Sequence, residues 1–356
     1  MKYFYKIIIL TMFIPLATYA TERGKYNKNK VIKKEFTVNK NATLNVSNKY
    51  GNIDIVTSNT NKIIINVSIT TNGNDEEKVA EKLKHINVIF DSNLNFVSAK
   101  TKIEKTSNSW SLFGKSNNVN MQIDYTIYMP VTNNLEISND YGGVRLDKIE
   151  GSTKFNVDYG EISIGELLNS DNNINIDYTN NSNIEYMKDG HINADYSTLH
   201  IERSEKLNLN ADYSHLSFGK VSNLDFNCDY GSLKINQVGN ANGNTDYISV
   251  KINKLNESGV FVADYGGLSI GNLGSNFKFL KVNAEYAGVK IGINNETSFN
   301  ITASTSYGNL NFGDGFTFYK EIKKSSSKYY EGYFGTENSG NRIELKTSYG
   351  NISLIN

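Results

Sequence analysis

Apolar and polar residues alternate in short bursts along most of this chain, and the bursts recur. In "LNLNADYSHLSFGKV", Leu207, Leu209 and Ala211 alternate with Asn208, Asn210 and Asp212; beyond Tyr213, Leu216 and Phe218 flank Ser217, and Gly219 ends the run. Period-two alternation sends successive side chains to opposite faces of a strand. The stretch therefore predicts two short strands joined at an Asp-Tyr turn, which in other units reads Asp-Tyr-Gly. The same unit centres on Tyr141, Tyr159, Tyr178, Tyr196, Tyr213, Tyr230, Tyr247, Tyr265, Tyr286 and Tyr307, at intervals of 17–21 residues.

Columns hold from unit to unit. Three residues after the tyrosine stand Val144, Ile162, Leu199, Leu216, Leu233, Val250, Leu268, Val289 and Leu310; four before it stand Phe155, Ile174, Ile192, Leu209, Phe226, Phe261 and Val282. Only the Tyr178 unit breaks step, with an extra residue in "TNNSNIEY". Self-similarity at such a period marks a chain whose units stack on one another. The predicted fold class is all-β: a parallel β-solenoid, β-helix-like, of 17–21-residue two-strand coils with an N-terminal α+β cap. At the strand spacing of about 4.8 Å per coil, nine intervals make a rod of roughly 43 Å. Two residues before the tyrosine the column is mostly small (Ala194, Ala211, Cys228, Thr245, Ala263, Ala284, Thr305), which leaves room for a ring of the same parity. The tyrosines are accordingly placed inward or at the corner, in preference to an outward aromatic strip.

The rest of the chain frames the repeat. Residues 1–20 read as an export signal: Lys2 and Lys6 precede "IIILTMFIPLA", with Ala17 and Ala20 where cleavage would fall. Residues 21–30 are a polar lead. Residues 31–130 are expected to cap the first strand edge. They hold a first two-strand unit at Tyr50-Gly51, one helix in "DEEKVAEKLKH", acidic at its start and basic at its end, and a hairpin in "INVIFDSNLNFVSAK". A loop around Trp110 and the strand "MQIDYTIYMP" complete them. The repeat spans 131–312, an exposed loop or hairpin 313–340, and a closing coil 341–356 around Tyr349.

The Tyr-Gly-x-Φ-x-Φ repeats, the early helix, the strand ending in "YMP" and the closing "RIELKTSYGNISLI" together resemble the "putative adhesin" family of bacterial β-strand-repeat envelope proteins. The head domain of autotransporter adhesins is similar. The resemblance covers roughly residues 31–356. It implies an exported bacterial β-solenoid with an adhesive or envelope role, and no established catalytic residue to carry over.

Composition narrows the chemistry. Lysines and arginines number 37 and acids 37, so no basic field exists for nucleic acid. The lone cysteine, Cys228, falls in an inward column, and disulfides contribute nothing. The four histidines, His85, His191, His200 and His215, occupy different columns, and no Ser-His-Asp spacing, phosphate loop or CxxC pair appears. Arg145, Lys234, Lys251 and Lys290 share an outward column on the second strand, read as a solvated face.

The most unusual feature is a ladder of acids. Asp158, Asp177, Asp195, Asp212, Asp229, Asp246 and Asp264 each precede a repeat tyrosine, Glu285 continues the series, and parity points them outward. Asn156, Asn175, Asn193, Asn210, Asn227, Asn244 and Asn283 run alongside. Like charges about 4.8 Å apart repel by roughly 0.9 kcal/mol in water and about 3.5 kcal/mol at an effective dielectric of 20. Hydrogen bonds from the backbone N–H groups of each turn are the simpler offset. Calcium is the candidate ion, since carboxylate and amide oxygens suit it; no other cofactor is expected.

The expected function is non-enzymatic: an exported adhesin-like or scaffold protein that offers a repetitive surface to an envelope or surface glycan or protein, in the periplasm or on the outer cell surface. The alternative is a β-helix protein that binds or degrades polysaccharide. A structural protein that assembles through its ends, or takes part in envelope-stress sensing, is a third.

Overall fold

The computed structural model describes residues 24–104, 119–294 and 296–355. The proposed export signal and the loop around Trp110 lie outside them. The described chain is nearly all β: 23 strands in one continuous sheet and a single helix, Glu76–Lys84. Asp75 caps the helix by accepting from the N–H groups of Glu77 and Lys78, with Glu76 and Glu77 in the first turn and Lys82 and Lys84 in the last. This charge order favours the helix dipole.

Successive repeat units pair in parallel, each residue beside its counterpart. Thr153–Asp158 lies between Leu135–Asp140 and Asn172–Asp177, and Ser182–Asp195 pairs with the start of Thr198–Asp264 from Ser182↔Leu199 to Asp195↔Asp212. The columns read from the sequence become files of like residues. Phe155, Ile174, Ile192 and Leu209 are buried in one file, and Ile162, Leu199, Leu216 and Leu233 in another. A unit buries too little surface to stand alone, so neighbours share their apolar edges.

At each corner the alternation slips. Around Tyr213, for example, buried positions fall four and two residues before the tyrosine, then one, three and five after it. The cause is the tyrosine's backbone. Every repeat tyrosine, together with Tyr50 and Tyr349, has φ between 49° and 65°. A left-handed residue turns the chain and resets parity, so the ring is thrown to the outside of the corner. The expected inward ring is thus corrected to an outward one. The room beside the small column goes to the residue after the tyrosine: Thr179, Ser197 and Ser214 are buried there, and the Ser214 hydroxyl donates to the Ala194 carbonyl at 2.7 Å. Where the next residue is Gly231 (φ 147°), a Cβ would lie 2.0 Å from the Ser214 carbonyl oxygen.

Both ends depart from the expected plan. Residues 26–30, expected in a polar lead, open strand Tyr26–Thr37, which pairs antiparallel with Lys62–Gly73. Ile86–Asn93 and Phe96–Ile103 form the expected antiparallel hairpin. The Thr43–Lys49 and Ile53–Ser58 unit, expected within the cap, stacks directly on the Tyr141 unit. At the other end, Arg342–Ser348 does not close the stack. It lies between Phe279–Glu285 and Phe299–Ser306, and the outermost unit is covered by the antiparallel strands Phe316–Lys323 and Ser327–Phe334. These strands are the hairpin alternative expected at 313–340, and they fold over the end. Phe312, Phe316, Phe318 and Tyr330 pack together beneath them.

Candidate functional site: a tyrosine corner with an acid file

Twelve tyrosine rings stack along one corner. In spatial order they are Tyr50, Tyr141, Tyr159, Tyr178, Tyr196, Tyr213, Tyr230, Tyr247, Tyr265, Tyr286, Tyr349 and Tyr307. Centroids are 4.7–5.3 Å apart and planes are within 8° of parallel. Tyr213 is 49% exposed, and Tyr307, at the free end, 64%.

A sugar-stacking strip needs open ring faces, and here each ring covers its neighbour's. Only Tyr50 and Tyr307, at the two ends of the row, have a ring neighbour on one side alone, so the ladder offers ring edges and phenol hydroxyls. Among the described residues none of the twelve hydroxyls has a hydrogen-bond partner within the chain. Desolvation, then the neighbouring phenols, push Tyr196, Tyr230 and Tyr265 above the ordinary phenol range.

The left-handed backbone sharpens the point. A bulky residue there is a real outlier, at a cost of about 1–2 kcal/mol that glycine avoids. A stacked pair returns about 0.5–1.5 kcal/mol beyond area burial. Stacking and strain are of similar size, so stacking alone is a weak reason for tyrosine at all twelve corners.

The acid file runs beside the rings. Asp158, Asp177, Asp195 and Asp212 are register partners in succession, as are Asp264 and Glu285. Asp229 and Asp246 hold the same place before their tyrosines. Asp195, Asp212 and Glu285 are exposed, and the others half-buried. Partial desolvation first, then adjacent carboxylates, raise Asp158, Asp177 and, though its side chain is largely exposed, Asp212 above the usual range. The expected backbone offset is sparse. The Asp212 N–H donates to Asp195 at 3.2 Å, across units and not within one turn, while Asp246 Oδ1 is buried without a partner.

Two members escaped the sequence reading. Asp140 belongs to the file, and the "NDYG" before Tyr141 carried the signal. Lys49 occupies the same place in the first unit and pairs with Asp140 at 2.6 Å, which ends the file with a cation. The asparagines beside it link into a chain of amides: Asn175 to Asn156 and Asn193 to Asn175, both at 2.7 Å, and Asn244 to Asn227 at 3.0 Å.

On the second strand, Arg145 bridges Asp54 and Glu161 at 3.2 and 3.4 Å. A shallow groove follows the ladder there, lined by Tyr141, Gly143, Tyr159, Glu161 and Asn180. His200 and His215 contact Ser217 and Ser232 separately. Among the described residues no group of three or more His, Cys, Asp or Glu side chains is placed to hold a metal ion. Cys228 is buried, and burial pushes its thiol up to about 12. No described helix is long and apolar enough to cross a membrane.

Comparison with known proteins adds names. A "putative cell adhesion protein" from Clostridium sporogenes is 13% identical, with 92% of this chain and 99% of that one covered at a TM-score of 0.19. A "putative adhesin" from Parabacteroides distasonis is 8% identical, with 74% and 93% covered at 0.33, and one from Parabacteroides merdae is 10% identical, with 74% and 92% covered at 0.33. The chain is similar to bacterial proteins named as adhesins. No family profile and no curated protein matches it.

Proposed function

We propose that this chain is an exported, non-enzymatic, adhesin-like protein whose stack is a parallel β-solenoid, and that the tyrosine corner with its acid file is the surface it presents at the cell envelope. One observation carries the reading: twelve half-exposed tyrosines occupy left-handed corners where the backbone favours glycine. Residues held in such conformations mark places where the side chain is needed. Parallel, in-register pairing of successive units supports the solenoid. A periplasmic or outer-surface location follows from the export signal expected in residues 1–20. The evenly spaced hydroxyls and carboxylates suit an extended glycan or protein, held along the row by many weak polar contacts.

The experiment is binding of the purified chain to arrays of envelope polysaccharides and surface proteins, beside a variant with Tyr196, Tyr213 and Tyr230 replaced by glycine. Saturable binding by the chain, weakened at least about tenfold in the variant, is expected from the loss of about 1.4 kcal/mol or more of contact. Equal binding by a folded variant would remove the corner from the function. Release of shortened sugar chains would replace this reading with the polysaccharide-degrading one.

A further inference from the structure

Sequence order and spatial order part at the C-terminal end. The segment Arg342–Ile355 is the last of the described chain, yet it is the last but one in the stack. Its first strand sits in parallel register between Phe279–Glu285 and Phe299–Ser306, and Ile352–Ile355 sits between Gly288–Gly292 and Leu310–Phe312. All pairing between the outermost unit and the stack passes through this segment.

The inserted segment is a near-copy of its neighbour, "TSYGNISL" from Thr347 against "TSYGNLNF" from Thr305. It is held by contacts that any second copy could supply. The Tyr286 N–H donates to the Ser348 carbonyl at 2.9 Å, the Tyr349 N–H to the Ser306 carbonyl at 2.8 Å, and the Thr347 hydroxyl to the Thr305 hydroxyl at 2.9 Å. It joins the rest through residues 335–341, a largely exposed crossing with Gly335, Asn338 and Gly340 at φ of 71°, 59° and 86°. Extended, those seven residues reach at most about 24 Å.

We propose that Arg342–Ile355 is exchangeable: a second copy of this chain donates it into the slot between the Tyr286 and Tyr307 units, and joins two stacks by their C-terminal ends. A swapped pair keeps every contact in the slot. The balance is then set by the linker and by concentration. The crossing is tied to Ser298 by the Thr336 N–H at 3.0 Å and the Ser339 hydroxyl at 2.9 Å, bonds a swap must release or remake; once freed, so short a linker gives an effective concentration of the order of millimolar. The monomer therefore dominates in dilute solution, and roughly a tenth of chains swap on refolding at ~0.1 mM.

The test uses two full-length variants, Ser306→Cys and Ser348→Cys. These positions are register partners, about 4.8 Å apart across parallel strands and within disulfide reach. The two chains are unfolded together, refolded at ~0.1 mM and oxidised after folding, when the buried Cys228 thiol is inert. A covalent heterodimer that survives dilution is expected, with none when the folded chains are simply mixed. A double variant, Ser306→Cys with Ser348→Cys, is expected to close its disulfide within one chain, which shows that the sites form. Correct refolding without heterodimer would overturn the proposal, as would a dimer that never cross-links at these sites.

Discussion

The inside of the stack and its tyrosine corner are built on opposite rules. Inside, identity varies freely: the file four residues before the tyrosine holds Phe155, Ile174, Ile192, Leu209 and Phe226, all buried. Any apolar side chain of suitable volume serves, because burial is non-directional. At the corner the rings are half exposed, the backbone is left-handed, and all twelve residues are tyrosine. Variation where packing decides, and constancy where packing contributes least, indicate that the corner is specified by what it offers outward.

The largest effect is expected at the corner residue with no side chain. Gly231→Val drives a Cβ to 2.0 Å from the Ser214 carbonyl oxygen and should destabilise by about 4 kcal/mol or more, read as a loss of denaturant midpoint. Tolerance of valine there would mean that units pack more loosely than the inside implies. The next effect concerns backbone alone. With φ of 53° at Tyr213, Tyr213→Gly should be more stable than Tyr213→Ala by about 1 kcal/mol. The opposite order would mean that the corner is not left-handed in solution.

A smaller effect follows from the acid file. Asp177 is raised above its free value of 3.8, so at neutral pH its charge opposes folding. As pH falls through the folded value, the proton is taken up by the folded chain first and stability rises; below 3.8 both states are protonated and the gain stops. Asp177→Asn should therefore raise Tm by about a degree or two at pH 7.5, with the difference vanishing as pH falls to 3.8. A variant less stable than the parent at neutral pH would mean that the carboxylate has a bonding role. The smallest effect is expected from calcium, which should shift Tm by less than about 1 °C relative to chelator. A larger rise would place the ion on the acid file.

The repeat was readable in the sequence because a strand's period of two and a unit's period near 17 leave separate marks, as in Leu207, Leu209 and Ala211 against Leu224 and Phe226 one unit on. The direction of the rings was not. Parity alone carries Tyr213 inward with Leu209 and Ala211, and only its φ of 53° sends it out. The rule that found Asp158 would also have found Asp140. The insertion of the Tyr349 unit was beyond reach, because "TSYGNISL" and "TSYGNLNF" fit the same neighbour and sequence order favours the wrong one.

Equilibrium unfolding of Leu209→Ala beside Tyr213→Gly tests the contrast between inside and corner most directly. Leu209→Ala removes a fully buried side chain and should cost about 2–5 kcal/mol. Tyr213→Gly gives up part-exposed ring contact but relieves a left-handed tyrosine, and should cost about 1 kcal/mol. If the tyrosine change proved as damaging as the leucine change, the ladder would be holding the fold together, and its constancy would say nothing about a partner.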